Sequence, residues 1–156
     1  MLRPARIPSF AALAAVFALA GLPATAQAAG PQVTVSGGGT ASFDFVEGLE
    51  SQFSVGAVIH DDGSVEGHFM CMIVGIVAIS GHVTDGTLNA DGSVTLSGVG
   101  HGIVLIPEVF GPFEDCPFEV TLWQGGPGVG RFFYSDCVAV GDAETVESGH
   151  IMIKVH

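Results

Sequence analysis

Basic residues are scarce. The chain of 156 residues carries four Lys and Arg against sixteen Asp and Glu, a formal net charge of −12. Nucleic-acid binding needs clustered cations to neutralise phosphates, so the composition excludes it. Charge of either sign is sparse, at 13%, while hydrophobic residues reach 48%, which is too apolar for a disordered chain. There is one Trp and one Tyr, far short of the two aromatic girdles of an outer-membrane barrel, and the chain ends Lys154-Val155-His156. The strings that announce catalysis are missing too. No Gly-x-Ser-x-Gly elbow, His-Glu-x-x-His or Cys-x-x-Cys occurs, and the Gly125–Gly130 loop has neither the Lys nor the helix of a phosphate loop.

What is present begins with an address. Arg3 and Arg6 precede an uncharged stretch from Ser9 to Leu22, Pro23 breaks it, and Ala26-Gln27-Ala28 offers small residues for a signal peptidase. Residues 1–28 therefore read as a secretory signal peptide cut after Ala28, followed by a single domain over 29–156. The apolar core is shorter than the ~20 residues of a spanning helix, and no Cys near the cut suggests a lipid anchor. Once the leader is removed, only Arg131 and Lys154 remain as bases and the net charge becomes −14. The expected place is extracellular or periplasmic, with no membrane attachment after cleavage.

From there on the pattern alternates. Ala41, Phe43 and Phe45 are apolar between polar neighbours; Phe53, Val55, Ala57 and Ile59 share one parity, as do Phe118, Val120 and Leu122, and Ile151, Ile153 and Val155. Period two is the mark of half-buried antiparallel strands. Phe69 to Ile79, interrupted by Gly75, and Ile103 to Ile106 are apolar throughout and read as central strands covered on both faces. Asp-Gly-Ser-Val occurs at 62–65 and again at 91–94, each time between strand-like runs, as a hairpin turn would. A third hairpin is expected about Gly125–Gly130. The fold class is all-β: an antiparallel sandwich or small barrel of about eight to ten strands.

Cys71, Cys116 and Cys137 allow three pairings. If Phe118–Trp123 pairs with Arg131–Asp136 around the glycine loop, Cys116 and Cys137 meet at the open end of that hairpin, within disulfide range. Cys71 is then a free thiol, in phase with Phe69 and Ile73, and reads as a small buried hydrophobe because no Lys or Arg neighbours it.

Six histidines supply imidazole: His60, His68, His82, His101, His150 and His156. Their spacing defines no metal site. His150 and His156 are ~20 Å apart along an extended strand, and a metal-dependent hydrolase would need His68, His101 and His150 gathered beside an acid. Asp61-Asp62-Gly63, Asp91-Gly92 and Glu114-Asp115 lack the spacing of a calcium loop, and turn geometry explains their aspartates first. No cofactor is expected, and no catalytic residue is assigned.

The ordered set Gly37-Gly38-Gly39-Thr40-Ala41-Ser42-Phe43-Asp44-Phe45, Gly67-His68-Phe69, Phe118-Glu119-Val120-Thr121-Leu122-Trp123, the Gly-Gly-Pro-Gly loop, Phe133-Tyr134 and Ser148-Gly149-His150-Ile151-Met152-Ile153 resembles the post-COAP-type secreted bacterial domains, over residues 37–156. The resemblance implies a secreted all-β module and carries over no catalytic or ligand residue. Two departures stand out: Gln124 where Asp is usual, and Met70-Cys71-Met72 in place of a more polar, Tyr-containing stretch. The expectation is a non-enzymatic extracellular binding or structural domain with an unknown partner. Its main rival is a carrier of a small apolar ligand, with Phe43, Phe45, Phe53, Phe69 and Trp123 around a cavity of ~300 Å³ or more.

Overall fold

The computed structural model describes residues 30–44, 46–107, 109–138 and 142–156. The signal peptide, its cleavage after Ala28, and Phe45 lie outside the described residues. Eight strands run in order: β1 Val33–Phe43, β2 Glu50–Ile59, β3 Val65–Ile73, β4 Val77–Leu88, β5 Val94–Val104, β6 Gly111–Trp123, β7 Arg131–Asp136 and β8 Asp142–Val155. Each pairs antiparallel with the next, and β8 returns to β1, so the sheet closes into a barrel. The broader expectation of a sandwich or barrel resolves to the barrel.

Alternation sends one parity of every strand inward. Val33, Val35, Phe53, Val55, Phe69, Ile79, Leu96, Phe118, Val120, Leu122, Phe132 and Ile151 are buried there. The outward positions carry Thr34, Ser36, Gln52, Ser54, Glu66, Ser80, Thr95, Ser97, Glu119 and Thr121. The polarity is therefore apolar inside and polar outside, the reverse of a lipid-facing barrel. Phe69 sits among the rings, with centroids 5.8 Å from Phe118, 6.4 Å from Phe132 and 5.2 Å from Tyr134; Phe53 and Phe132 stand 4.9 Å apart.

These rings fit because other inward positions are empty. Gly81 on β4 faces inward opposite Gly100 on β5. A Cβ at Gly81 would lie 2.5 Å from Cε1 of Phe118, and one at Gly98 would lie 3.1 Å from the same atom. Alternating large and small residues is how a narrow barrel reaches close packing.

The two Asp-Gly-Ser turns adopt one geometry. Ser64 donates from both its N–H and its hydroxyl to Asp62 Oδ1, at 2.9 and 2.6 Å, and Ser93 does the same to Asp91 Oδ1, at 3.0 and 2.6 Å. Gly63 and Gly92 both take φ of 84°, a left-handed conformation suited to glycine. The third hairpin has the register expected of it, from Phe118 opposite Asp136 to Trp123 opposite Arg131. Its glycine loop folds back on β8, where Gly128 N–H donates to the Val146 carbonyl at 2.8 Å.

The run Phe69–Ile79 differs from expectation. It is not one central strand but the end of β3, a turn at 74–76 and the start of β4, with Gly75 at φ 77° and Val74 71% exposed. Nor is Ile103 to Ile106 covered on both faces: β5 ends at Val104, and Leu105 and Ile106 are exposed. A single closed layer has only one dry side, so no strand in it is covered twice.

Replacing Gly81 by Ala is expected to destabilise the fold by ~1–3 kcal/mol through overpacking. Phe118→Leu in the same chain should recover part of that loss. Urea unfolding of the single and double variants checks the coupling, and simple additivity would exclude the ring-to-glycine fit. The carboxyls of Asp62 and Asp91 are held below the ordinary 3.8, first by the Ser64 and Ser93 hydroxyls and then by the backbone N–H groups. Folded values below unfolded ones give a stabilisation that is full above 3.8 and lost as pH falls through the lowered values. An Asp62→Asn, Asp91→Asn variant should lose that acid dependence in unfolding curves recorded from pH 5 downward.

Candidate functional site

One end of the barrel interior is polar, and the residues that make it so were not singled out by the sequence. Ser51 shares the parity of Phe53, Tyr134 and Asp136 share that of Phe132, and Glu144 shares that of Val146. All four point inward with the aromatic set, and Cys71 joins them from β3. That parity was the available signal. Ser51 Oγ donates to Glu144 Oε2, and Tyr134 Oη donates to Asp136 Oδ2 at 2.6 Å. Glu144 is only 2% exposed and Ser51 wholly buried. A buried carboxylate is tolerated only with hydrogen-bonding partners. Among the described residues, no buried side-chain N or O atom lacks a partner.

Electrostatics here hold protons on. Burial, and then the negative charge of Glu144, push the Cys71 thiol up to about 12. Burial, and then the Asp136 carboxylate, push the Tyr134 hydroxyl up as well. A nucleophilic thiol needs the opposite environment, electropositive and partly open. No histidine stands beside Ser51 to relay its proton, and Ser51 and Glu144 are closed off from water. The Ser51–Glu144 bond ties β2 to β8 inside the wall, and the Tyr134–Asp136 bond lies within β7.

The cysteine pair lies just outside it. Cys116 and Cys137 have their Cα atoms 5.6 Å apart with the sulfurs at disulfide distance, and the Cys137 N–H donates to Cys116 Sγ at 3.2 Å. Cys71 is free and buried. Such a pair fits an oxidising compartment.

The histidines stand on the outer face. His68, His101 and His150 are exposed on β3, β5 and β8 and are not gathered. His60 lies 3.5 Å from Glu66. Among the described residues, no group of three or more His, Cys, Asp or Glu is placed to hold a metal ion. Folding does bring His68 opposite His82, a pairing that the spacing gave no sign of.

Of the five aromatics expected around a carrier cavity, Phe53 and Phe69 lie in the core and Phe43 is half-buried at a strand end. Trp123 corrects the list. It points outward, because Leu122 takes the inward parity, and its indole N–H donates to Asp91 Oδ2 at 3.2 Å. With Arg131, Phe133 and Ala143 it borders an outer groove of about 370 Å³. Arg131 is itself paired with Asp44.

The two barrel ends differ in chemistry. One carries the Asp-Gly-Ser turns. The other carries the loops after β1, β3, β5 and β7, which present Val46, then Val74, then Leu105, Ile106, Val109 and Phe110, then Val138. These are seven of the twelve large hydrophobic side chains exposed among the described residues. The loops touch: Leu105 N–H donates to the Ile76 carbonyl at 2.7 Å, and Val109, Phe110 and Val138 border one cavity of about 430 Å³. Scattered exposed hydrophobes are ordinary, but a concentration of them is the mark of an interaction surface.

Fold and surface together define a closed eight-stranded up-and-down barrel, filled inside and apolar at one end. No family model, curated protein or solved structure matches the chain.

Ser51→Ala is expected to cost ~1–3 kcal/mol, the penalty for stripping a donor from a buried acceptor. Urea unfolding measures it. Cys71 should resist a thiol reagent at pH 8 in the folded chain and react once in denaturant. Rapid modification of the folded chain would contradict its burial.

Proposed function

We propose that this domain is a secreted, non-enzymatic binding module that works outside the cell or in the periplasm. The observation that carries this reading is the apolar end of a barrel whose interior is already full. The aromatic rings occupy the space a carried ligand would need, so the carrier reading has less support. The scattered outer histidines likewise give a metal-dependent hydrolase little to work with. A signal-like leader, an oxidised cysteine pair and a polar outer face all favour a life in water beyond the cytoplasm.

The partner we infer is a protein segment with an apolar face edged by Lys or Arg. Exposed Glu47, Glu50, Glu114 and Asp115 stand on or beside the loops of the apolar end, and the only two bases past the leader, Arg131 and Lys154, belong to strands. Acid around an apolar patch attracts a basic partner and repels a second copy of itself or an anionic lipid surface. Nucleic acid is disfavoured on the same ground.

An amphipathic Leu/Lys peptide serves as the probe. It should bind the wild type in one-to-one ratio by fluorescence anisotropy, and a Leu/Glu peptide of equal length should not. Phe110→Ser with Val138→Ser should weaken binding by about tenfold, the equivalent of ~1.4 kcal/mol. Equal binding by the variant, or none by the wild type, would remove this surface from consideration.

A further inference from the structure

We propose that His68 and His82 form a binding site for a divalent transition-metal ion, copper(II) in preference to zinc, on the outer face of β3 and β4. The inference does not depend on the apolar end or its partner.

Fourteen positions separate the two residues, and no motif joins them. The hairpin register does: His68 stands directly opposite His82 in adjacent antiparallel strands. Both side chains are exposed, pointing away from the core that Phe69 and Val83 help to form. Directly opposed residues on one sheet face hold their Cβ atoms about 4.5–5.5 Å apart. Two imidazoles on such a base reach a common point above the sheet, where each ring nitrogen sits about 2.0–2.1 Å from a single ion.

The His68 ring must turn from β2 to reach that position. It lies over Gly56 on β2, where a Cβ would come within 2.9 Å of its Cε1 atom. An exposed ring exchanges rotamers on the picosecond to nanosecond scale, so turning from β2 towards His82 is fast. The nearest acid on β3, Glu66, already faces His60 at 3.5 Å. The ion therefore has two protein donors, with water completing its shell. Neutral imidazoles suit both copper and zinc, and copper(II) binds such donors more tightly. The strongly negative chain raises the local concentration of any cation.

Bound metal would tie β3 to β4, so it should also raise the melting temperature by mass action. The test titrates the untagged chain with CuCl₂ and, separately, ZnCl₂, by calorimetry and by thermal denaturation. One copper ion per chain is expected, with zinc weaker. His68→Ala and His82→Ala should each lower copper affinity by at least about tenfold, the loss that removal even of an outer-sphere partner brings. Each should also abolish the thermal shift. Both positions are solvent-facing, and circular dichroism verifies that the variants fold. His150→Ala, opposite Gly38 on another wall, should change neither reading. Wild-type copper affinity in the His68 and His82 variants, an equal loss in His150→Ala, or no binding by the wild type would overturn the site.

Discussion

Closing eight strands into one layer leaves a narrow interior that must be filled by every second residue of the chain. Phe118 shows that demand: a Cβ on Gly81 would lie 2.5 Å from its ring, while one on Gly98 would run into the backbone carbonyl of His82. A side chain on Gly81 would displace the ring, and through it Phe69, which also packs against Phe132 and Tyr134. Large and small inward residues are thus coupled around the circumference. Glycine serves the core at Gly81 as well as the turns at Gly63 and Gly92.

A full interior shapes what the protein is able to do. Polar groups that fall on the inward parity are satisfied within the wall: Ser51 donates to Glu144 and Tyr134 to Asp136, beside the buried Cys71 thiol. Burial and neighbouring carboxylates hold the Cys71 and Tyr134 protons on, which is the reverse of an activated site. Chemistry with the outside is left to the outer face and to the ends. The ends are unequal because their loops are: one set is built from Asp, Gly and Ser, which close on themselves, and the other from Val, Leu, Ile and Phe, which do not.

Much of the fold was legible because it is local. Strand parity in 53–59 and 118–122 is a two-residue rhythm, and the Asp-Gly-Ser turns are written in four residues. The 116–137 cysteine geometry follows from a hairpin centred on the glycine loop, since an antiparallel register is set by its turn. Reading failed where the chain turns without a polar marker. Val74-Gly75-Ile76 reverses direction inside an apolar run, and only Gly75 hints at it. Trp123 was placed inside on its chemistry, although the parity of Leu122 already sent it out.

The amino-acid sequence by itself determined which residues share a face and where the tight turns lie, because each depends on near neighbours along the chain. Only the tertiary structure decided that the last strand returns to the first, that Glu144 meets Ser51 and that His68 faces His82. Those meetings depend on closure and on register between strands, and both are settled by how rings and glycines fill a common interior. No single segment carries that information.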